Sequence, residues 1–358
     1  MGGGGHLATS DRIVIDGAQG SGSGTIVRTA VALAGLLGRP LHIYNVRAAR
    51  KNPGLRQQHL GAVEAVARLT GGRLRGAAVG ARAFDFEPSG RISGGEYFFD
   101  LGAGSATLVA YTVLPVAAFA DGPTVFRIRG GTFQDFAPSA YHFKYVLLTL
   151  LGRMGVRAEL EVLRPGYVPS GGGLIELRVW PARPPLRPLS LLEPGRVVRV
   201  WGLAVSSHLR SRRVSDRMAA RCRARLKSAG LDAEIEVVYD ESAAQAGAGL
   251  AVFAETDTGC IFGADRSGEL RRSSEEIGDY VAETLLADLR SGATVDRHLA
   301  DQLVLFGALA DGETRYIVPQ VTDHLETACW LAGEILGAEA VIDGRTIRIR
   351  GVAFRKPD

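Results

Sequence analysis

Lysine is scarce in this chain: only four of its 42 basic residues are lysines (Lys51, Lys144, Lys227 and Lys356). Arginine therefore carries nearly all the positive charge, and covalent chemistry on a lysine amine has few candidates. The Lys-x-Asp-Gly motif of lysine-adenylating ligases is absent, since Asp16-Gly17 and Asp343-Gly344 follow Val14 and Val341. Cysteine is equally sparse. Cys222, Cys260 and Cys329 lie far apart with no CxxC pair, which excludes a disulfide framework and a cysteine-based zinc site. No apolar run approaches the roughly 20 residues of a membrane span. The N-terminal MGGGGH lacks the basic-then-apolar order of a secretory signal and reads as a loose tail. A soluble, cytoplasmic protein is expected. What is present is a folding composition, 46% hydrophobic and 22% charged over 358 residues. That length suits two domains, or one large domain carrying an insert. The net charge of +4 is a mild excess, compatible with a polyanionic partner.

A weak internal repeat organises the chain. Three helical patterns open at a histidine: His59 in QHLGAVEAVARLTGG, His142 in YHFKYVLLTLLGRMG and His324 in DHLETACWLAGEILG. Thirteen positions after each comes a glycine (Gly72, Gly155, Gly337), where a helix C-cap needs a positive φ. Strand-like segments follow, RLRGAAV, VRAELEVL and AEAVI. Upstream of each lies another apolar helix closing at glycine (Gly38, Gly122, Gly312) and leading into a strand. The common unit is helix, strand, helix and two strands, seen three times.

Between the second and third units this grammar breaks. The proline-rich RPPLRPLSLLEPG (183–195) reads as a linker. After it come a strand, the helix SDRMAARCRARLKSAG, a strand, a hairpin and the helix SSEEIGDYVAETLLADLRSG, whose Ser273 and Glu276 form a capping box. The third unit resumes near Ala293. The expected organisation is a large repeated body, 1–190 and 292–358, with a smaller inserted α/β domain at 191–291.

Two segments near the N-terminus suit phosphate. In IVIDGAQGSGSGTIVRTAVALAGLLG (13–38) a strand, a glycine-rich turn and a helix follow one another. Gly20, Gly22 and Gly24 allow close backbone approach at a helix start, where N–H groups are unpaired. The spacing is neither a Walker A loop nor GxGxxG, so a tight strand-to-helix turn is the plain alternative. In NVRAARKNPGLRQQHL, Arg47, Arg50, Lys51 and Arg56 crowd around an Asn-Pro-Gly turn, where guanidinium forks match phosphate geometry. A solvated basic loop is the plain alternative there. A second basic run from Arg210 to Lys227 reads first as a solvated helix face and second as an RNA-facing surface. A histidine at a helix start is most often an ordinary terminus residue. Held neutral there, it is also a nucleophile. Nothing in the residues alone prefers His324 over His59.

The segments IDGAQGSGSGTIVRTAVALA, VRAARKNPGLRQQHLGAV, LGAGSATLVAYTVLPV, FADGP, PSGGG and HLADQLVLFGALA resemble, in order over most of the chain, those of RNA 3′-terminal phosphate cyclases. The resemblance implies an α/β (α+β) fold of three βαβαββ units, each similar to the C-terminal domain of a bacterial translation initiation factor, plus a smaller insert. It implies ATP as cofactor, with Mg or Mn. RNA with a 3′-phosphate end is the implied partner; a homodimer stays open and no membrane is involved. The implied reaction passes AMP from ATP to a histidine and on to the RNA 3′-phosphate, which the 2′-hydroxyl then closes into a 2′,3′-cyclic phosphate.

By position, His324 resembles the adenylated histidine. His298, Leu299, Ala300, Asp301 and Gln302 resemble the ATP-contacting stretch, and Pro138 falls where the family packs against adenine. Arg28, Arg47, Arg50, Gln58 and His59 match polar positions of the cleft that receives the substrate. The chain also departs from the pattern. Ser21 stands where the family's glutamate meets metal and phosphates, leaving the metal ligands unknown. Tyr111 stands where a glutamine commonly contacts ATP, Ala49 turns RAGR into RAAR, and His298 replaces a tyrosine. Two further readings stay open: a catalytically silent cyclase-like RNA-binding or assembly factor, and a transferase of small phosphorylated substrates such as an enolpyruvyl transferase.

Overall fold

The computed structural model describes residues 12–135 and 137–356; the MGGGGH tail lies outside the described residues. The first unit runs β1 (Ile13–Asp16), α1 (Gly24–Leu37), β2 (Leu41–Tyr44), α2 (Gln57–Leu69), β3 (Arg73–Arg75) and β4 (Phe84–Glu87). The second runs β5 (Gly95–Ser105), α3 (Ala106–Ala117), β6 (Thr124–Gly131), α4, β7 (Arg157–Arg164) and β8 (Gly173–Trp180). Helix α4 spans 140–154 and passes through a π-helical stretch, Phe143–Leu147. The third unit opens with β9 (Ser190–Leu191) and is then interrupted. The interruption comprises β10 (Val197–Ser207), α5 (Val214–Ser228), β11 (Glu234–Asp240), β12 (Gly247–Thr256), β13 (Ile261–Ser267) and α6 (Ser274–Arg290). The unit resumes with α7 (Leu299–Leu309), β14 (Glu313–Ile317), α8 (Asp323–Leu331, continued by a π-helical turn Ala332–Leu336), β15 (Glu339–Asp343) and β16 (Thr346–Arg350).

All three units build the same sheet. The strand orders are β1-β2-β4-β3, β5-β6-β8-β7 and β9-β14-β16-β15, each with a parallel first pair followed by two antiparallel pairs. A parallel pair needs a crossover, and the first helix of each unit supplies it. The interruption forms a separate sheet, β11-β10-β12-β13. Alternation along the strands turns Ile13, Ile15, Leu41, Ile43, Phe84 and Phe86 inward. The helices pack on those inner faces, with α1 touching α2, α3 and α8. Helix α1 is buried on nearly every side, as its almost uninterrupted apolar run requires. Each fully buried Leu or Ile there contributes about 1.5–3 kcal/mol. Gly35 permits the α1–α2 approach, since a Cβ would stand 2.8 Å from Val66 Cγ1. None of the described helices is long and apolar enough to cross a membrane.

Three details differ from the sequence reading. The stretch 183–195 is more than a linker, because Leu186, Leu189 and Leu191 are buried and β9 pairs with β14. The helix-closing glycine of the first unit is Gly71 (φ 58), one residue before Gly72. Gly122 and Gly312 lie in turns beyond helices that end at Ala117 and Leu309, whereas Gly38 is a true left-handed cap. The Ser273–Glu276 capping box is present at α6.

Candidate active site

The glycine-rich turn between β1 and α1 lies under the first turn of α8. Ser21 N–H donates to Thr327 Oγ1 at 2.8 Å, which pins the turn to that helix. Thr327 stands three residues after His324, so both side chains share one helix face. His324 Nδ1 accordingly lies 3.0 Å from Thr25 Oγ1 and 3.4 Å from Ser23 Oγ. Ser23 caps α1, and its hydroxyl is 2.8 Å from that of Ser21. Gly20 and Gly22 adopt left-handed backbone (φ 53 and 52). Gly24 is required for space: a Cβ there would fall 2.1 Å from His59 Nε2.

The basic loop meets the same point. Ala49 packs on Gly22, where a Cβ would be 2.6 Å from its own. Arg47 is held in left-handed conformation (φ 55) and donates from Nη1 to the Asn52 and Gly54 carbonyls at 2.8 Å each. Arg28 Nη2 donates to Thr25 Oγ1 at 3.3 Å, and its Nε is buried without a partner. Enclosure pushes the Arg28 guanidinium down to about 10, against the pull of Asp301 and Tyr111. The cations press on one another and on the imidazoles. His59, 4% exposed, accepts from Arg56 N–H at Nδ1, and burial followed by Arg28, Arg47 and Arg56 pushes it down to about 2. His324 is half-buried, and it too is lowered, by burial and then by Arg28 and Arg50, with exposed Asp323 opposing. Both rings are neutral at neutral pH, inside a field that an anion would relieve.

Helix α7 forms the facing wall. Burial raises Asp301 to about 6 while Arg28 pulls it back down. The Tyr111 hydroxyl donates to the Gln302 carbonyl at 3.2 Å, and burial pushes that phenol up. Gln302 Oε1 is buried and unpartnered. Leu299 and Ala300 are core residues at 0% and 1% exposure, and the Ala300 carbonyl accepts from the Tyr316 hydroxyl. Their side chains serve packing, so a ligand would meet this segment through His298, Asp301 and Gln302. Gln58 Oε1 accepts from Ser105 N–H at 3.2 Å, and the Ser105 hydroxyl leads through Thr107 Oγ1 to the Pro138 carbonyl at 3.0 Å. Pro138 is thereby joined to Gln58 rather than directly to the glycine turn.

The donors around the turn do not fit a divalent cation held by the protein. Ser21 and Ser23 offer hydroxyls, Asp301 is buried in the field of Arg28, and no group of three His, Cys, Asp or Glu suited to a metal occurs among the described residues.

Sequence reasoning missed Thr25, Thr327 and a buried pair beside the wall. His142 Nε2 lies 2.9 Å from Asp296 Oδ2, with both side chains fully buried. Asp296 also accepts from Gly263 N–H of β13 and from the His298 and Leu299 N–H groups that start α7. Burial works against charge on either partner, yet their mutual attraction and hydrogen bond win, raising His142 and lowering Asp296. The rings of His298 and His142 meet edge to face, with centroids 5.7 Å apart. The basic run 210–227 is largely spent internally: Arg217, Arg221 and Arg225 pair with Glu275, Asp279 and Glu283 of α6.

Comparison with known proteins gives one answer. The family model for RNA 3′-terminal phosphate cyclase matches residues 19–342. A protein of that name from Methylococcus capsulatus is 41% identical over 324 residues, covering 88% of this chain and 89% of its own. One from Pyrobaculum aerophilum is 36% identical over 347 residues (96% and 99%), and one from Methanopyrus kandleri 38% over 338 (93% and 96%). An enolpyruvyl transferase structure from Streptomyces tendae overlaps with a TM-score of 0.20 at 12% identity over 96% of this chain and 82% of that one, too slight a likeness to bear on function. With most of the chain matched by both the family model and these relatives, the protein belongs to the RNA 3′-terminal phosphate cyclase family.

Proposed function

We propose that this protein converts an RNA 3′-phosphate to a 2′,3′-cyclic phosphate at the expense of ATP, with His324 as the nucleophile. The observation that carries this reading is the setting of His324: one ring nitrogen against a hydroxyl, cations around it, and burial that keeps the ring neutral. Thr25 Oγ1 already accepts from Arg28 and suits acceptance from His324 Nδ1–H as well. That tautomer leaves the Nε2 lone pair free for attack.

In the first step Nε2 bonds to the α-phosphorus of ATP, the bond to the bridging oxygen breaks, and pyrophosphate leaves. An oxygen of the RNA 3′-phosphate then attacks the same phosphorus, the P–N bond breaks and His324 returns to neutral. The 2′-hydroxyl finally attacks the 3′-phosphorus, AMP departs, and the hydroxyl proton passes to solvent. Arg28, Arg47 and Arg50 hold phosphate oxygens, a task suited to guanidinium forks. Asp301 and Gln302 face the nucleoside, with Pro138 and His298 beside the base. The Mg or Mn ion implied by the resemblance finds no carboxylate cage at Ser21, and no step is assigned to it. Residues 191–291 are, in this reading, an inserted domain on the repeated body.

Incubation with α-labelled ATP should place AMP on the protein, and addition of 3′-phosphorylated RNA should discharge it into cyclic-ended product. His324→Ala should abolish the label. RNA binding with no label under any divalent ion would instead select a silent RNA-binding factor.

A further inference from the structure

A groove lies between the second unit and the interrupting sheet, with a volume of about 400 Å³. One wall is the loop joining β13 to α6. Its root is locked to the second unit, because Arg272 and Arg266 both pair with Asp135. Its tip is presented outward: Leu270 is 94% exposed and Arg271 is left-handed (φ 70). Across the groove stand Leu209 and Arg212, with Val168 at the rim, 56% exposed. Among the described residues neither Arg212 nor Arg271 has a side-chain hydrogen bond or ion pair, whereas the groove's one carboxylate, Glu269, is tied to Arg272.

Apolar side chains beside unpaired guanidinium groups match a single strand of nucleic acid, whose bases offer faces and whose backbone offers phosphates. A comparably sized groove elsewhere differs in this respect. It is lined by Lys144 and Arg178 together with three carboxylates, Glu159, Glu161 and Glu176, and Glu176 is already tied to Arg178. A chain of packed contacts also joins this groove to the candidate active site. Gln58, beside His59, accepts from Ser105 N–H just after the 102–104 loop. Gly171 sits against the Gly102 carbonyl, where a Cβ would fall 2.2 Å away, and Gly172 abuts Ala244. Gln245 Nε2 then donates to the Tyr167 carbonyl at 2.8 Å, and Gln245 itself lines the groove.

We propose that this groove holds the nucleotides upstream of the RNA 3′ end, with Arg212 and Arg271 on backbone phosphates and Leu270 and Val168 against bases. The proposal rests on the RNA reading above. The test compares 3′-phosphorylated RNAs of 2 and 12 nucleotides with wild type, with R212E/R271E and with Leu270→Ser. For the double variant, KM for the 12-mer should rise about tenfold and the salt slope of its binding should fall by about 1.4, at about 0.7 per single-strand phosphate. The dinucleotide and the AMP label should be unaffected, while Leu270→Ser should weaken the 12-mer alone without changing the salt slope. An unchanged 12-mer, or equal losses for both lengths, would overturn the groove while leaving the cyclase reading intact. A wild type that turns over neither RNA would bring down the reading beneath it. Competition by polyglutamate that is lost with the two arginines, alongside an unaltered 12-mer, would assign the groove to an acidic protein segment.

Discussion

The second and third units each begin their second helix with a histidine in the first turn, yet the two rings have opposite fates. His142 is sealed against Asp296 and favours its charged form. His324 faces Thr25 and the arginines, is half-buried, and favours its neutral form. The backbone unit is the same, with a helix that contains a π-helical stretch and closes on a left-handed glycine in both. Repetition thus supplies the helix terminus, and the sign of the neighbouring charge decides whether the imidazole is held charged or left neutral. His59, the third member, is neutral too, but it is buried beneath Gly24 and so is closed to a phosphorus atom.

Breaking the pair on the structural side should have the larger effect on stability. Asp296→Asn leaves His142 buried without its counter-charge and weakens the start of α7, for a loss of about 3–5 kcal/mol. Chemical denaturation should report this as a lower midpoint with an unchanged slope. An unchanged midpoint would mean that the pair contributes nothing. The pH dependence sharpens the same contrast. The raised His142 contributes stability that is complete below pH 6.5 and is lost as pH climbs through its folded value. His59, lowered to about 2, acts in the other direction. Below pH 6.5 the unfolded chain takes up a proton that the folded ring refuses, so stability falls by about 1.4 kcal/mol per pH unit. The His142 contribution should therefore fade above pH 6.5 and the His59 contribution below it, the latter opposed below about pH 6 by Asp301, while AMP labelling, which the proposed mechanism ties to neutral His324, should hold its plateau below pH 6.5. A labelling curve with its midpoint at or above 6.5 would contradict the lowered His324. The smallest effect is expected at the arginine ladder. Arg221→Ala removes one exposed, paired guanidinium and should leave both the unfolding midpoint and RNA affinity essentially where they were; a clear loss of RNA affinity would restore that helix face as a binding surface.

The repeat was legible because its punctuation is local: apolar periodicity, glycines after helices, and β-branched runs. Gly155 and Gly337 are left-handed caps as the spacing implied. Strand β9 was not legible, since two residues inside a proline-rich stretch carry no period and are recruited only by the waiting edge of β14. The candidate site divides in the same way. The glycine turn and the arginine loop suggested phosphate from their own composition, with a tight turn and a solvated loop as the plain alternatives. The choice of His324 came from resemblance alone, because what distinguishes it from His142 is set through space. Asp296 lies 154 residues from His142, and Thr25 lies 299 residues from His324. Thr327 could have been noticed from its three-residue spacing to His324, but its partner, the Ser21 N–H, is a backbone group that no side-chain pattern reveals.

The most direct test is to react the wild-type protein with ATP, digest it under conditions that preserve a phosphoramidate, and find the peptide that carries AMP. The account predicts a single adduct, on the imidazole of His324. AMP on His59 or His142, or on a lysine, would contradict it.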